Sequence, residues 1–196
     1  MSFPKPMIGD ISVASVLEIK QNIVMSTNFD RKKLFILFVI LVVVVAIDQW
    51  TKVLAIEYFK GKAALIYLGG LFQFVYAENP GAFLGMGGDL SRSLRFVIFG
   101  LFVAVGLLVM LWSIIKNHMP TKDVLAYSFI LGGGIGNVID RLTHDNGHVV
   151  DFMFMDFGFA RTGVFNVADM AIVLGFVLAI WPDRLVKSNQ QIIKEN

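Results

Sequence analysis

Between Leu94 and Ile115 the chain carries an apolar run broken by charge only at Arg95, and no other feature restricts its fold so tightly. A helix of that length covers a hydrocarbon core of about 30 Å, whereas a helix facing water on one side would alternate polar and apolar faces. A second run, Leu34 to Ile56, is as long but encloses Asp48, Gln49 and Lys52. The third, Val124 to Ile139, reaches spanning length only by continuing through Asp140 and Arg141 to Leu142, which puts those charges at a membrane surface. The fourth, Val164 to Trp181, has Asp169 near its start and is stopped by Pro182. Composition points the same way, with 56% of the 196 residues hydrophobic and 16% charged, against about 25% charged in soluble domains. The expected fold is an all-α membrane protein of four transmembrane helices.

Residues 1–30 are mixed in polarity and do not read as a cleavable signal peptide, so the first span is expected to serve as the insertion signal. Arg31, Lys32 and Lys33 abut it, and the positive-inside rule then places the N-terminus in the cytoplasm. Four spans return the C-terminus to that side, toward which Lys and Arg lean modestly. The expected organisation is a cytoplasmic tail over 1–30, a four-helix domain over 31–184 with an outer loop at 57–93, and a cytoplasmic tail over 185–196. In that loop, residues 65–76 (LIYLGGLFQFVY) are two β-prone runs around Gly69 and Gly70, which predicts a hairpin with a two-residue turn lying on the membrane surface as a small cradle. A merely tight loop is the alternative. Trp50 and Trp181 read as interfacial anchors.

Several chemistries are disfavoured. The chain has no cysteine, so thiolate catalysis and disulfides are excluded. A net charge of +2 with scattered basic residues gives no footprint for nucleic acid. His144 and His148 have a metal-compatible spacing only on a helix, and the Gly147 between them favours a loop; no metal is expected. The GGGIGN stretch from Gly132 to Asn137 lacks the lysine of a phosphate loop. It reads better as helix packing, with Gly132 and Gly136 on one face letting a neighbouring backbone approach. No nucleophile-elbow motif supports Ser/His catalysis.

On the expected topology, Asp48, Lys52, Asn79, Asn137, Asp140, Arg141, Asp151, Asn166 and Asp169 all come to the outer ends of spans or their connecting loops. Ionisable residues within spans cost roughly 2.5 to 3.5 kcal/mol each, so they normally face partners or water and mark function. Asn166 is placed to cap the fourth helix and Asp169 falls in its first turn, a sufficient structural explanation for both. Asp151, between apolar neighbours in HVVDFMFM, reads either as a surface-loop carboxylate or as a buried one with His148 as partner. Two carboxylates brought together in a poorly solvated place share a single proton near neutral pH, the state an aspartic protease requires, with no metal or cofactor. Topology leaves Asp48, Asp140, Asp151 and Asp169 as candidates. A small proton-coupled transporter or channel is the alternative, as is a membrane assembly protein whose polar residues only join helices.

Five blocks, DQWTK at 48–52, ENPGAFLGM at 78–86, GGGIGNVIDRL at 132–142, HVVDF at 148–152 and FNVADMAI at 165–172, together resemble lipoprotein signal peptidase (signal peptidase II), in that family's order. The resemblance covers about residues 34–182. It implies a catalytic dyad of Asp151 and Asp169, and supporting roles for Asp48, Lys52, Asn79, Gly81, Asn137, Asp140, Arg141, Asn166 and Ala168. Asp140 falls outside the dyad, and its adjacency to Arg141 suits a structural charge cluster. The implied reaction removes the signal peptide of a prolipoprotein on the N-terminal side of a diacylglyceryl-modified cysteine. The expected partners are such substrates and membrane lipids, the expected state a monomer, and the expected location the bacterial inner membrane.

Overall fold

The computed structural model describes residues 31–82, 86–117, 119–144 and 146–182. The chain divides into Met1–Lys32 and Lys33–Asn196; the expectations for the tails at 1–30 and 185–196 lie outside the described residues.

Helix α1 runs from Arg31 to Phe59. Its buried residues, Leu37, Val44, Asp48, Lys52 and Ala55, recur at intervals of three, four or seven and so form one stripe. Large apolar side chains such as Phe38, Val43 and Val53 are exposed around the rest of the helix, a surface suited to lipid. Helix α2, Arg92–Lys116, starts at Ser91, whose Oγ accepts from the Leu94 amide, and winds as a π-type helix over Phe96–Phe102. Among the described residues, α1 and α2 are the helices long and apolar enough to cross a membrane. Helix α3, Thr121–Thr143, is the most buried, and Leu131 and Val124 on it pack with Leu37 of α1 and Ile114 of α2. Helix α4, Val167–Ile180, is a shorter apolar helix. It begins at a capping box, with the Asn166 side chain accepting from the Asp169 amide and the Asp169 carboxylate from the Asn166 amide, a device worth about 1 kcal/mol.

The small β-rich cradle expected in the outer loop is part of an antiparallel sheet of three strands, β1 (Leu65–Tyr67), β2 (Phe72–Asn79) and β3 (Val149–Met155), in the order β1-β2-β3, the third strand coming from outside that loop. The predicted hairpin is present, paired Leu65↔Phe74 and Tyr67↔Phe72. Its turn takes four residues, Leu68–Leu71, instead of two, with Leu68, Gly69 and Gly70 all at positive φ (51°, 67° and 102°). That conformation requires glycine at little cost twice and strains the leucine.

β3 is not signalled by its sequence because it lacks alternation. It lacks alternation because both its faces are buried, with Val150, Asp151 and Phe152 all among the buried residues. Val150 and Phe152 pack with Ala55 of α1, ringed by Phe59, Phe72, Phe74 and Phe165. Between the pairs Phe74↔Met153 and Ala77↔Asp151, β2 carries one extra residue, a bulge beside Asp151. After β3 the chain doubles back, and Phe165 exchanges backbone hydrogen bonds with Met153 at 2.8 and 2.9 Å. The fourth apolar run therefore begins extended at 164–166 and becomes helical only at Val167, which sets Asn166 beside Asp151.

The glycine run is also corrected in detail. Gly132 and Gly136 make room for side chains of α1, Val44 and Asp48, and the close backbone approach is at Gly133, where a Cβ would collide with the Ala168 carbonyl of α4.

Candidate active site

The ends of α1 and α3 meet the start of α4 beneath the sheet, and the eleven polar and small residues singled out above fall in one connected hydrogen-bond and ion-pair network. Its first half is built around Lys52, which is 2% exposed. The ammonium lies 2.8 Å from Asp48 Oδ2 and 3.0 Å from Asp140 Oδ2, and donates to Asn137 Oδ1 at 3.1 Å. Its three donors thus have three acceptors. Asp48 Oδ1 accepts from the Ala168 amide at 2.9 Å, tying α1 to the first turn of α4. Asp140 Oδ2 also accepts from the Val150 amide at 3.0 Å, tying α3 to β3. The adjacency of Asp140 to Arg141 is accordingly no ion pair: Asp140 pairs with Lys52 on another helix, while Arg141 donates to the carbonyls of Gly81 (2.8 Å) and Asn137 (3.0 Å).

The second half is built around Asn166, which is fully buried. Its Nδ2 donates to Asp151 Oδ1 at 2.6 Å and its Oδ1 accepts from the Asp169 amide at 2.9 Å. Asp169 Oδ2 accepts from the Asn166 amide at 3.2 Å and Oδ1 from Asn137 Nδ2 at 2.9 Å. Asp151 Oδ2 accepts from Asn79 Nδ2 at 3.0 Å, and Asn79 Oδ1 from the Gly81 amide at 3.0 Å. One asparagine therefore holds both carboxylates, and a second, Asn137, links Asp169 to the Lys52 cation.

Burial, then the charge of Asp169, push the Asp151 carboxyl up to about 7 against the opposing hydrogen bonds of Asn79 and Asn166. A carboxylic acid that keeps its proton near neutral pH beside a second carboxylate can exchange protons with a substrate. Both acids line a cavity of about 920 Å³ whose walls include Phe99, Arg141, Met170 and Val173. It is polar where the acids stand and apolar along α2 and α4.

Of the two readings of Asp151, the structure shows the buried carboxylate, but without His148 as its partner. His148 Nδ1 lies 3.5 Å from Glu78 Oε2, and Glu78 accepts hydrogen bonds from Lys60 (3.0 Å) and Tyr76 (2.8 Å). The hydrogen bond from Lys60, then that from Tyr76, holds the Glu78 carboxyl down at about 2. Sequence reading gave no role to Gln49, whose Nε2 reaches Asp140 Oδ1 (2.9 Å), Asp48 Oδ2 and the Gly136 carbonyl (both 3.2 Å). Its one signal was an amide inside an apolar run. Among the described residues there is no group of three or more His, Cys, Asp or Glu arranged to hold a metal.

Apolar outer helix faces enclosing a buried network with an acidic pair at a cavity wall define a helical membrane enzyme. A fold of this kind occurs in two solved bacterial membrane enzymes. One has a TM-score of 0.63 and 28% identity over 79% of this chain and 90% of its own; the other 0.62 and 27% over 74% and 89%. The profile of the signal peptidase (SPase) II family matches residues 40–183, and the chain belongs to that family, which makes it a protease. It is 34% identical to a lipoprotein signal peptidase of Borrelia hermsii over 82% of this chain and 96% of that one. To those of Chlorobium phaeobacteroides and Thermodesulfovibrio yellowstonii it is 30% and 33% identical, over 79% and 76% of this chain and 97% and 95% of theirs.

Proposed function

We propose that the protein is an aspartic endopeptidase that removes the signal peptide from diacylglyceryl-modified prolipoproteins, cutting on the N-terminal side of the lipidated cysteine, with Asp151 and Asp169 as its dyad. The observation that carries this reading is the clamping of both carboxylates by Asn166 at the wall of an otherwise apolar cavity. Asp169 stands in the first turn of α4, where the helix dipole favours an anion, and takes the role of base. It accepts a proton from water as the water attacks the scissile carbonyl. Protonated Asp151 donates a hydrogen bond to the carbonyl oxygen and then supplies the proton that the leaving amine needs. Asn79 and Asn166 orient Asp151, Asn137 orients Asp169, and the Lys52 cluster fixes the helices that carry them.

All four helices are taken to cross the membrane, with both termini cytoplasmic and the site at the outer surface. The end of α1, the start of α2, the end of α3 and the start of α4 meet at the site, as four alternating crossings require. Nearly all the buried polar side chains among the described residues are at that end, the exception being Ser128, which bonds to the Val124 carbonyl. A proton-coupled transporter would need such groups toward both faces. A lipid-anchored cysteine holds its scissile bond at the bilayer surface, the depth of this site on that topology, and the apolar part of the cavity suits the substrate's hydrocarbon.

The test is cleavage of a diacylglyceryl-modified prolipoprotein by the purified full chain in lipid vesicles, for wild type, Asp151→Asn and Asp169→Asn. Each variant is expected to lose at least roughly 10²- to 10⁴-fold in rate. Near-normal cleavage by either one sinks the dyad.

A further inference from the structure

The π-type segment of α2 is unexplained by its sequence, since FVIFGLF holds no proline. Wider turns of this kind often occur at functional sites because they redirect side chains locally. The aromatic ring that this segment sets toward the site is Phe99. It lines the cavity, and the Arg141 guanidinium carbon stands 5.8 Å from its ring centroid. On another side it meets Gly87, where a Cβ would come within 2.8 Å of the ring. Gly87 also has φ of 74°, so glycine is required there for both room and conformation.

Arg141 is incompletely held by hydrogen bonds. Its two terminal nitrogens reach the carbonyls of Gly81 and Asn137, but its Nε is buried with no hydrogen-bond partner. Besides the Coulombic attraction of Asp140, Asp169 and Asp151, the face of an aromatic ring is a further attraction available to a guanidinium in such a place.

We propose that Phe99 is a positioning residue for Asp151, acting through Arg141. The ring fixes the guanidinium, and the guanidinium fixes the Gly81 carbonyl. Gly81 donates to Asn79 Oδ1, and Asn79 Nδ2 donates to Asp151 Oδ2. Every contact in that series is on α2, α3 or the chain from β2 to β3, so Phe99 couples the start of α2 to an acid it does not touch. This rests on the reading of Asp151 as a catalytic acid, and the experiment separates the two ideas.

Phe99→Leu keeps an apolar side chain but removes the ring's electrostatic face, whereas Phe99→Tyr keeps the face. Both are measured for cleavage of a diacylglyceryl-prolipoprotein in vesicles, with kcat and KM resolved, and for thermal unfolding. Phe99→Leu is expected to unfold at the wild-type temperature and to lose roughly tenfold in kcat with little change in KM, while Phe99→Tyr stays near wild type. A pure packing role moves the Tyr and Leu variants alike, and that outcome, or a fully active Phe99→Leu, overturns the proposal. In parallel, the Arg141 Nε–H resonance of ¹⁵N-arginine-labelled protein, assigned with Arg141→Lys, is expected to carry a ring-current shift that Phe99→Leu abolishes. That resonance decides the Phe99 contact even for a preparation whose wild type does not cleave, a result that would instead remove the peptidase reading.

Discussion

Asp151 destabilises the fold that uses it, and the cost can be worked from its surroundings. Its carboxyl titrates at about 7 in the folded chain against an ordinary 3.8. Below 3.8 the group is protonated whether the chain is folded or not, and it has no effect. As pH rises from 3.8 to 7 the unfolded chain releases a proton that the folded chain keeps, so stability falls; above 7 the full penalty is present. A difference of about three units corresponds to roughly 4 kcal/mol. Asp151→Asn removes that penalty but turns one amide toward Asn79 or Asn166, both of which already donate to this side chain. A donor facing a donor costs about 1–3 kcal/mol. The variant is therefore expected to be more stable than wild type by roughly 1–3 kcal/mol at pH 8.5, equivalent to about 5 °C in Tm for a chain of this size. Near pH 4 the penalty on wild type is gone while the donor-against-donor cost remains, so there the variant is expected to be less stable than wild type by about 1–3 kcal/mol. Thermal unfolding of both proteins in detergent at pH 4.5 and 8.5 measures it. A Tm difference that is the same at both pH values, or that turns against the variant at alkaline pH, refutes the assignment of a raised carboxyl at Asp151.

Two further substitutions probe the scaffold. Lys52→Met leaves Asp48 and Asp140 buried without their cation, and thermal unfolding should show a loss of about 3–5 kcal/mol that is partly recovered when Asp140→Asn is added. Gly133→Ala drives a methyl group into the Ala168 carbonyl and Ile172, and is expected to cost about 1–3 kcal/mol together with activity, because α3 and α4 carry Asn137 and Asp169. Gly106→Ala, where a Cβ meets open space, is the matched control and should be neutral or slightly stabilising in the same melts.

What could be read from the chain depended on whether the signal was local. The hairpin was legible because β-prone runs flank a Gly69–Gly70 pair, and the cap of α4 because Asn166 and Asp169 stand three apart at the head of an apolar run. β3 was illegible because a strand buried on both faces loses the alternation by which a strand is recognised, leaving VVDFMFM as a bare apolar run. The partners of His148, Arg141 and Gln49 were illegible for a different reason. Each bonds across elements, as Gln49 does to Asp140 91 positions away, and adjacency in sequence was a misleading guide for Asp140 with Arg141.

The family blocks name residues without saying what joins them. Asn166 reads as a helix cap from sequence; only the return of Phe165 along β3 makes it also the donor to Asp151.

Membrane residence was settled by the sequence alone, because the preference of an apolar run for hydrocarbon sums over its own residues and needs no partner. The sorting of four candidate acids was not, because it depends on what stands between residues far apart in the chain. Folding puts the Lys52 ammonium between Asp48 and Asp140, where one cation bridges the two carboxylates. Between Asp151 and Asp169 it puts the uncharged amide of Asn166, and burial of Asp151, then the charge of Asp169, raise the Asp151 carboxyl. A cation in one gap and an amide in the other is a property of the tertiary structure, and it is what distinguishes the pair proposed for the chemistry from the pair that joins helices.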